Sequence, residues 1–393
     1  MPAACPDPLP GVAATAARSP ELVVDLAAIR HNVAFLAELA APAALMVVVK
    51  ADGYGHGAVE VARAAREAGA TWLGTATVGE ALTLRDAGDT GRLLCWLDAP
   101  GPDPARLIEA DIDLTAYSVD ELDRIAAAVG DTPARVQLKI DTGLIRGGAA
   151  YADWPALVAR AREHELARRL TVTGIWSHYA SADDPDHPAN TAQERVFDDA
   201  VAMARAAGLE PEVCHLSNSA GTLLRPHARY DLVRCGIASY GLDPAPGVTP
   251  RELADQLRPA MTATAALAMV KDVDAGQGVS YGHTWIADVA TTVGLVPVGY
   301  ADGVSRHLSN VGEVRVLGRR RPIRGRICMD QFCIDLGGEH PPVGTSVVLF
   351  GDGRDGAPTA QDWADTIGTI SYEIVTRVGG RFRRVYVDQE DAR

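Results

Sequence analysis

The chain has 393 residues, 47% hydrophobic and 22% charged, a composition that supplies a large packed core and excludes intrinsic disorder. Its formal charge of −14 argues against non-specific binding to nucleic acid or an anionic membrane, while leaving room for a locally basic pocket. This length suits two or three domains, or one α/β barrel with an addition.

Residues 1–20 hold five prolines and lack both a basic start and an apolar centre, so they read as a loose tail and not a secretory signal. The longest apolar stretches, 39–49 and 289–301, fall short of the roughly 18 residues of a membrane span. ELVVDL (21–26) predicts a short strand belonging to either body of the protein, and Asp25 a cap for a helix over 27–40. Eight further strands follow, at 44–52, 72–77, 92–97, 112–117, 135–141, 171–179, 212–218 and 232–241. Between them lie amphipathic segments, among them 58–69, 78–88, 119–130, 154–167 and 192–208. Eight such units predict a parallel (β/α)₈ TIM barrel over 21–245.

After a proline-rich connector at 244–259 the texture changes to short β-rich runs broken by glycine, at 261–273, 291–300, 312–318, 320–336, 345–351 and 383–387. One helix, 360–367 with Thr359 as its cap, interrupts them. This pattern predicts a second, mostly antiparallel β domain over 246–393. The six cysteines (Cys5, Cys95, Cys214, Cys235, Cys328, Cys333) show no metal-binding spacing, and read as free, mostly buried thiols of a cytoplasmic protein. No metal is expected.

Barrel chemistry sits at the C-terminal strand ends. Only three of the 37 basic residues are lysines: Lys50, Lys139 and Lys271. Lys50 ends the first barrel strand in VVVKADGYGHG, where desolvation would free its amine to attack a carbonyl. A surface role for a lysine emerging from the barrel top is the plainer alternative. Lys139 and Asp141 end the fifth strand, with Arg146 beyond. Ser177, His178 and Tyr179 end the sixth, Asn218 and Ser219 the seventh, and Arg234, Gly236 and Ile237 lie on or after the eighth. The loops after the last two barrel strands commonly cradle phosphate. A cradle facing a lysine amine suits a phosphorylated aldehyde, and pyridoxal phosphate carries both handles.

With these residues in view, the sequence resembles the alanine racemase family, the fold-type III pyridoxal-phosphate enzymes. The resemblance rests on VVVKADGYGHG (47–57), LKIDTGLIRGG (138–148), GIWSHYASADD (174–184), CHLSNSAG (214–221), LVRCGIASYG (232–241), VSYG (279–282), VPVGYADGVSR (296–306), GRICMDQFCIDL (325–336) and TISYEIVTRV (369–378). It implies that Lys50 forms an internal aldimine with pyridoxal phosphate, and that Tyr54, Ser219, Gly236, Ile237 and Tyr372 hold the phosphate. It implies that Arg234 donates to the pyridine nitrogen, with His178 linking Arg234 to Tyr281. Arg146 would bond the cofactor's phenolic oxygen and, with the N–H of Met329, the substrate carboxylate. Lys139 matches a lysine often carbamylated in the family, where it fixes that arginine. Tyr281, Tyr300, Met329 and Asp330 would come from a β domain that closes the partner's barrel in a homodimer. Lys50 and Tyr281 would then be the two bases that interconvert L- and D-alanine.

Several positions depart from the family pattern. The Gly147–Gly148 pair would loosen the Arg146 loop; Ser177 stands for threonine, Tyr179 for phenylalanine and Cys235 for proline, and His307 follows Arg306. They leave open a racemase for another amino acid, such as serine or lysine. A decarboxylase on the same scaffold fits less well because of VSYG and CMDQ. A non-catalytic cofactor-binding barrel would lack the second domain.

Overall fold

The computed structural model describes residues 19–97 and 104–388. They divide into two compact units, residues 24–261 with 386–388, and residues 19–23 with 262–385. Strand β1 (Glu21–Asp25) opens the described chain and joins the sheet of the C-terminal half. The Asp25 carboxylate caps the helix Leu26–Ala40 by accepting from the N–H groups of Ala27 at 2.9 Å and Ala28 at 3.3 Å, a contact typically contributing about 1 kcal/mol.

Eight parallel strands follow: β2 (Ala44–Val48), β3 (Trp72–Thr77), β4 (Arg92–Leu97), β5 (Asp113–Ala116), β6 (Ala134–Lys139), β7 (Leu170–Trp176), β8 (Val213–His215) and β9 (Leu232–Cys235). Their order is β8-β7-β6-β5-β4-β3-β2-β9. The two end strands meet through single bonds, from Arg234 N to Ser217 O at 3.0 Å and from Asp231 N to Cys214 O at 3.1 Å. The sheet is therefore a nearly closed barrel, as the eightfold rhythm predicts. Met46, Trp72, Leu94, Val213 and Leu232 form one of its core clusters.

At the N-terminal end of the barrel the fully buried Asp113 accepts from Arg92 at 2.8 Å, Arg135 at 2.7 Å and the Thr173 hydroxyl at 2.6 Å. Its charge is matched by two guanidinium groups, so this end is stitched by a satisfied ionic network and the C-terminal mouth is left for chemistry.

The C-terminal half contributes β10 (Met261–Ala266), β11 (Met269–Val273), β12 (Gly278–Val279), β13 (Trp285–Ile286), β14 (Thr291–Val296), β15 (Glu313–Val316), β16 (Arg319–Arg324), β17 (Phe332–Asp335), β18 (Ser346–Phe350) and β19 (Arg383–Val387). Its large sheet runs β11-β14-β17-β16-β15-β18-β10-β1-β19, with antiparallel pairing from β11 through to β10. Thr359 caps the helix Ala360–Ile367 in a reciprocal capping box with Asp362.

The structure corrects several boundaries. The expected strand over 44–52 stops at Val48, and Lys50 instead opens a tight turn, Lys50–Tyr54. The expected helix over 192–208 begins at Pro188, where a proline needs no N–H partner in the first turn. The run 261–273 breaks into β10 and β11. A second helix, Ser371–Arg377, stands where only one was expected in this half; its threonine and β-branched content concealed it. Cys95, Cys214 and Cys235 are buried, Cys328 and Cys333 partly exposed, and Cys5 lies outside the described residues. No helix among the described residues is long and apolar enough to cross a membrane.

Candidate active site

The turn that begins at Lys50 is left-handed. Ala51, Asp52, Gly53 and Tyr54 have φ of 52, 53, 61 and 52°, a run that L-residues disfavour by about 1–2 kcal/mol each. Polar anchors hold it: Glu80 Oε1 accepts from Ala51 N at 2.7 Å, and Asp52 Oδ1 from Ala58 N at 2.9 Å. The turn delivers the buried Tyr54 ring onto Tyr240, centroids 4.8 Å apart, and the Tyr240 hydroxyl donates to Val48 O at 2.9 Å. Burial pulls the Lys50 amine below its ordinary range, helped by the charges of Arg146 and Arg234 and opposed by Glu80.

Across the mouth, Ser219 opens the helix Ser219–Leu224, and its hydroxyl accepts from the N–H groups of Gly236 at 3.0 Å and Ala238 at 3.3 Å. Ile237 begins the turn that follows Gly236. A Cβ built on Gly236 would lie 2.3 Å from the Tyr54 hydroxyl oxygen. Tyr54, Ser219, Gly236 and Ile237 thus form one small polar cradle that only glycine permits.

Arg234, on β9, is buried. Its guanidinium donates to Ser177 O at 2.7 Å, Leu216 O at 3.0 Å, His178 Nδ1 at 3.1 Å and His215 Nδ1 at 2.8 Å. Burial pushes its pKa down to about 9, below the usual range for arginine, yet it stays charged at neutral pH. Burial and the neighbouring cations hold His178 well below the ordinary histidine range. His178 is therefore neutral and free to accept this bond. His215, likewise neutral, donates from Nε2 to Gln137 Oε1 at 2.7 Å and stacks on Trp176.

Lys139 ends β6, buried, with its amine 4.4 Å from the centroid of a Trp176 ring. Burial, then Arg234 and Arg146, lower its pKa to about 8. Arg146 is exposed on a loop that Asp141 ties down, its carboxylate accepting from the N–H groups of Gly143 at 2.8 Å, Ile145 at 3.1 Å and Arg146 at 3.2 Å. Gly148 packs against the Ile140 and Asp141 backbone, where a Cβ would come within 2.6 Å. A Cβ on Gly147 would meet only the Lys139 amine, at 3.7 Å, so the close approach belongs to Gly148 alone. Cys235, beside Arg234, is pushed up to about 12 by burial and remains a thiol.

The barrel unit thus gathers Lys50, Tyr54, Lys139, Arg146, His178, Ser219, Arg234, Gly236 and Ile237. The other predicted residues belong to the second unit. Tyr281 is 71% exposed on a short turn, Met329 is 53% exposed just before β17, and Tyr300 is 45% exposed. Asp330 lies 3.5 Å from Arg381, and Tyr372 sits in the helix Ser371–Arg377. Met329 is a turn residue and not part of the strand-like core that methionine usually signals. His215, Gln137 and Asp141 carried no role in the sequence reading. His215 could have been found from its period-two spacing to Ser217 on the strand that leads to Ser219.

Lys50, Lys139, Arg146 and Arg234 form no ion pair with a carboxylate among the described residues. A cluster of unpaired cations beside a glycine-built cradle fits an anionic ligand with an electrophilic carbon. No group of three or more metal-ligating side chains is assembled among the described residues.

Residues 24–244 match the family model described as alanine racemase, N-terminal domain, and residues 260–386 the model of its C-terminal domain. The alanine racemase of Streptomyces coelicolor is 53% identical over 375 residues, covering 93% of this chain and 95% of that one. The alanine racemase of Thermobifida fusca is 52% identical, covering 93% and 97%. Among solved structures, alanine racemase from D-cycloserine producing Streptomyces lavendulae aligns with a TM-score of 0.92 at 49% identity, over 95% of this chain and 98% of that one. The Bacillus anthracis alanine racemase with bound L-Ala-P aligns at 0.85 and 34% identity, over 94% and 95%.

Proposed function

The chain belongs to the alanine racemase family and is an enzyme interconverting L- and D-alanine; we propose that it does so on pyridoxal phosphate held in the barrel mouth, with Lys50 and the partner subunit's Tyr281 as the two bases. The observation that carries this reading is the cluster of cations around Lys50 and the Gly236 cradle, none of which forms a salt bridge with a carboxylate among the described residues. When bound, pyridoxal phosphate supplies the electron sink that makes the substrate Cα–H acidic.

The residues present fit that group. Ser219, Tyr54, Gly236 and Ile237, with Tyr372, would hold its phosphate, and Arg234 would face its ring nitrogen as a donor that stays protonated. Lys50 would hold its aldehyde carbon. A lowered amine pKa lets Lys50 Nζ take the proton from D-alanine and, in the reverse direction, return one to that same face to form D-alanine. Tyr281 Oη handles the proton on the opposite face. Arg146, with the Met329 N–H, binds the substrate carboxylate. Lys139, held partly neutral by burial, can add to carbon dioxide and release a proton; the resulting carbamate would give Arg146 an anionic partner.

We propose further that the protein is a homodimer in which the C-terminal β domain, 246–393, closes the partner's barrel, 21–245. Exposure of Tyr281, Met329 and Tyr300 supports this, since large side chains of this kind suit an interface. Turnover of L-alanine should exceed that of L-serine and L-lysine; a preference for either would replace alanine as the substrate. Borohydride reduction of the holoenzyme should leave the cofactor on Lys50. Refolding Lys50→Ala with Tyr281→Phe should restore about a quarter of wild-type activity, because half the dimers are hybrids and each has one intact site. Recovery of none would refute the shared site.

A further inference from the structure

We infer that Gln193, outside the segments that carry the family resemblance, is a positioning residue whose amide locks the Arg146 loop to the His178–Arg234 pair. The inference rests on the proposed roles of those residues. Gln193 is 2% exposed on the helix Pro188–Ala206, which packs outside the barrel. Its Oε1 accepts from Ala180 N at 2.9 Å, while its Nε2 donates to His178 O at 2.9 Å and to the Thr142 hydroxyl at 3.1 Å. Thr142 and Ser177 share a hydroxyl bond of 2.9 Å, and Ser177 O accepts from Arg234.

One side chain therefore spans the segments that leave β6 and β7. Thr142 follows Asp141, whose carboxylate holds the loop of Arg146; His178 and Ser177 bond Arg234 directly. The next residue, Glu194, repeats the pattern: it accepts from the Tyr179 hydroxyl at 2.6 Å and pairs with Arg225 at 2.6 Å, just past the helix that begins at Ser219. Helix residues 193 and 194 thus brace the mouth from behind. No hydrophobic side chain of the same volume offers one acceptor and two donors in this fork.

The identity of the amide matters as well as its bulk. In Gln193→Glu the carboxylate would face His178 O and lose both donors, and only its protonated form regains one. In Gln193→Met the volume stays and all three bonds go. In the holoenzyme, Gln193→Met should lower kcat/KM for alanine by on the order of ten- to a hundred-fold, with KM rising, because a misplaced carboxylate clamp costs that much. Gln193→Glu should add a pH dependence, absent from wild type and from Gln193→Met, both to kcat/KM and to the visible absorption of the bound cofactor. Thr142→Val, which removes the Gln193 and Ser177 bonds at that hydroxyl, should raise KM several-fold alongside a modest loss of melting temperature, and it decides the case if Gln193→Met does not fold. Variants that lose only melting temperature, with wild-type KM, pH profile and spectrum, would show that Gln193 merely packs. If Lys50→Ala still racemised alanine, the site assignment itself would fail; a Lys50-dependent enzyme with silent Gln193 variants overturns only the present inference.

Discussion

Gly236 and Tyr54 fit together only because one of them has no side chain: a Cβ on Gly236 would lie 2.3 Å from the Tyr54 hydroxyl oxygen and 2.8 Å from Cζ. Tyr54 cannot retreat, since Tyr240 backs its ring. Gly236→Ala should therefore displace Tyr54 and open the cradle. The expected result is a stability loss of about 1–3 kcal/mol, typical of overpacking. Cofactor retention, measured by absorbance titration of the apoprotein with pyridoxal phosphate, should weaken by at least about ten-fold.

The left-handed turn yields stability predictions of opposite sign at two of its positions. Ala51 has φ 52° without being glycine, so Ala51→Gly should raise the unfolding free energy by up to about 1 kcal/mol, strain relief exceeding the added chain entropy. Gly53→Ala should lower it, because its φ is 61° and its Cβ would press on the Ala58 backbone at 3.2 Å. Urea melts of the two variants test the pair.

Lys139 ties stability to pH. Between about pH 8 and the ordinary lysine value of 10.5, the unfolded chain holds a proton that the folded chain has released, so stability climbs as pH rises. Below about pH 8 both states are protonated, and a constant penalty of about 3 kcal/mol remains. In carbonate-free buffer, where the amine stays an amine, Lys139→Met should be more stable than wild type at pH 7 and should flatten the slope from about pH 8 to 10.5. A parallel slope in both proteins would assign the pH dependence to another group.

Two bases predict an asymmetry in hydrogen exchange. Because L- and D-alanine are equal in energy, Tyr281→Phe must lower kcat/KM equally in the two directions, by about 10²–10⁴-fold for loss of an acid–base group. In heavy water, however, Lys50 should still exchange the α-hydrogen of D-alanine in this variant, while L-alanine should keep its own. Proton NMR of the recovered alanine reads both. Exchange of neither or both enantiomers would contradict the division of faces.

The barrel was legible in the sequence because eight β-branched runs at near-even spacing leave few other ways to bury both faces of a parallel sheet. Lys50, Arg234 and Ser219 were legible because strand ends in such a barrel are where ligands bind. The positions of Asp25 and Thr359 were legible because capping is local chemistry. Even so, the sequence extends the strand before Lys50 four residues past its true end at Val48: five consecutive apolar residues mask a turn whose geometry depends on Asp52 within it and on Glu80, distant in the chain.

Residue type, spacing and alternation by themselves determined the parallel barrel, the β-rich second half and the lysine, arginine and serine that face one mouth. Only the tertiary structure decided that Asp141 tightens the Arg146 loop, that His215 and His178 are neutral acceptors for Arg234, and that Gln193 bridges two strand ends. Each of those depends on burial and on hydrogen-bond partners 2 to 56 residues away, and the pairing of the distant donors and acceptors exists only once the sheet has closed.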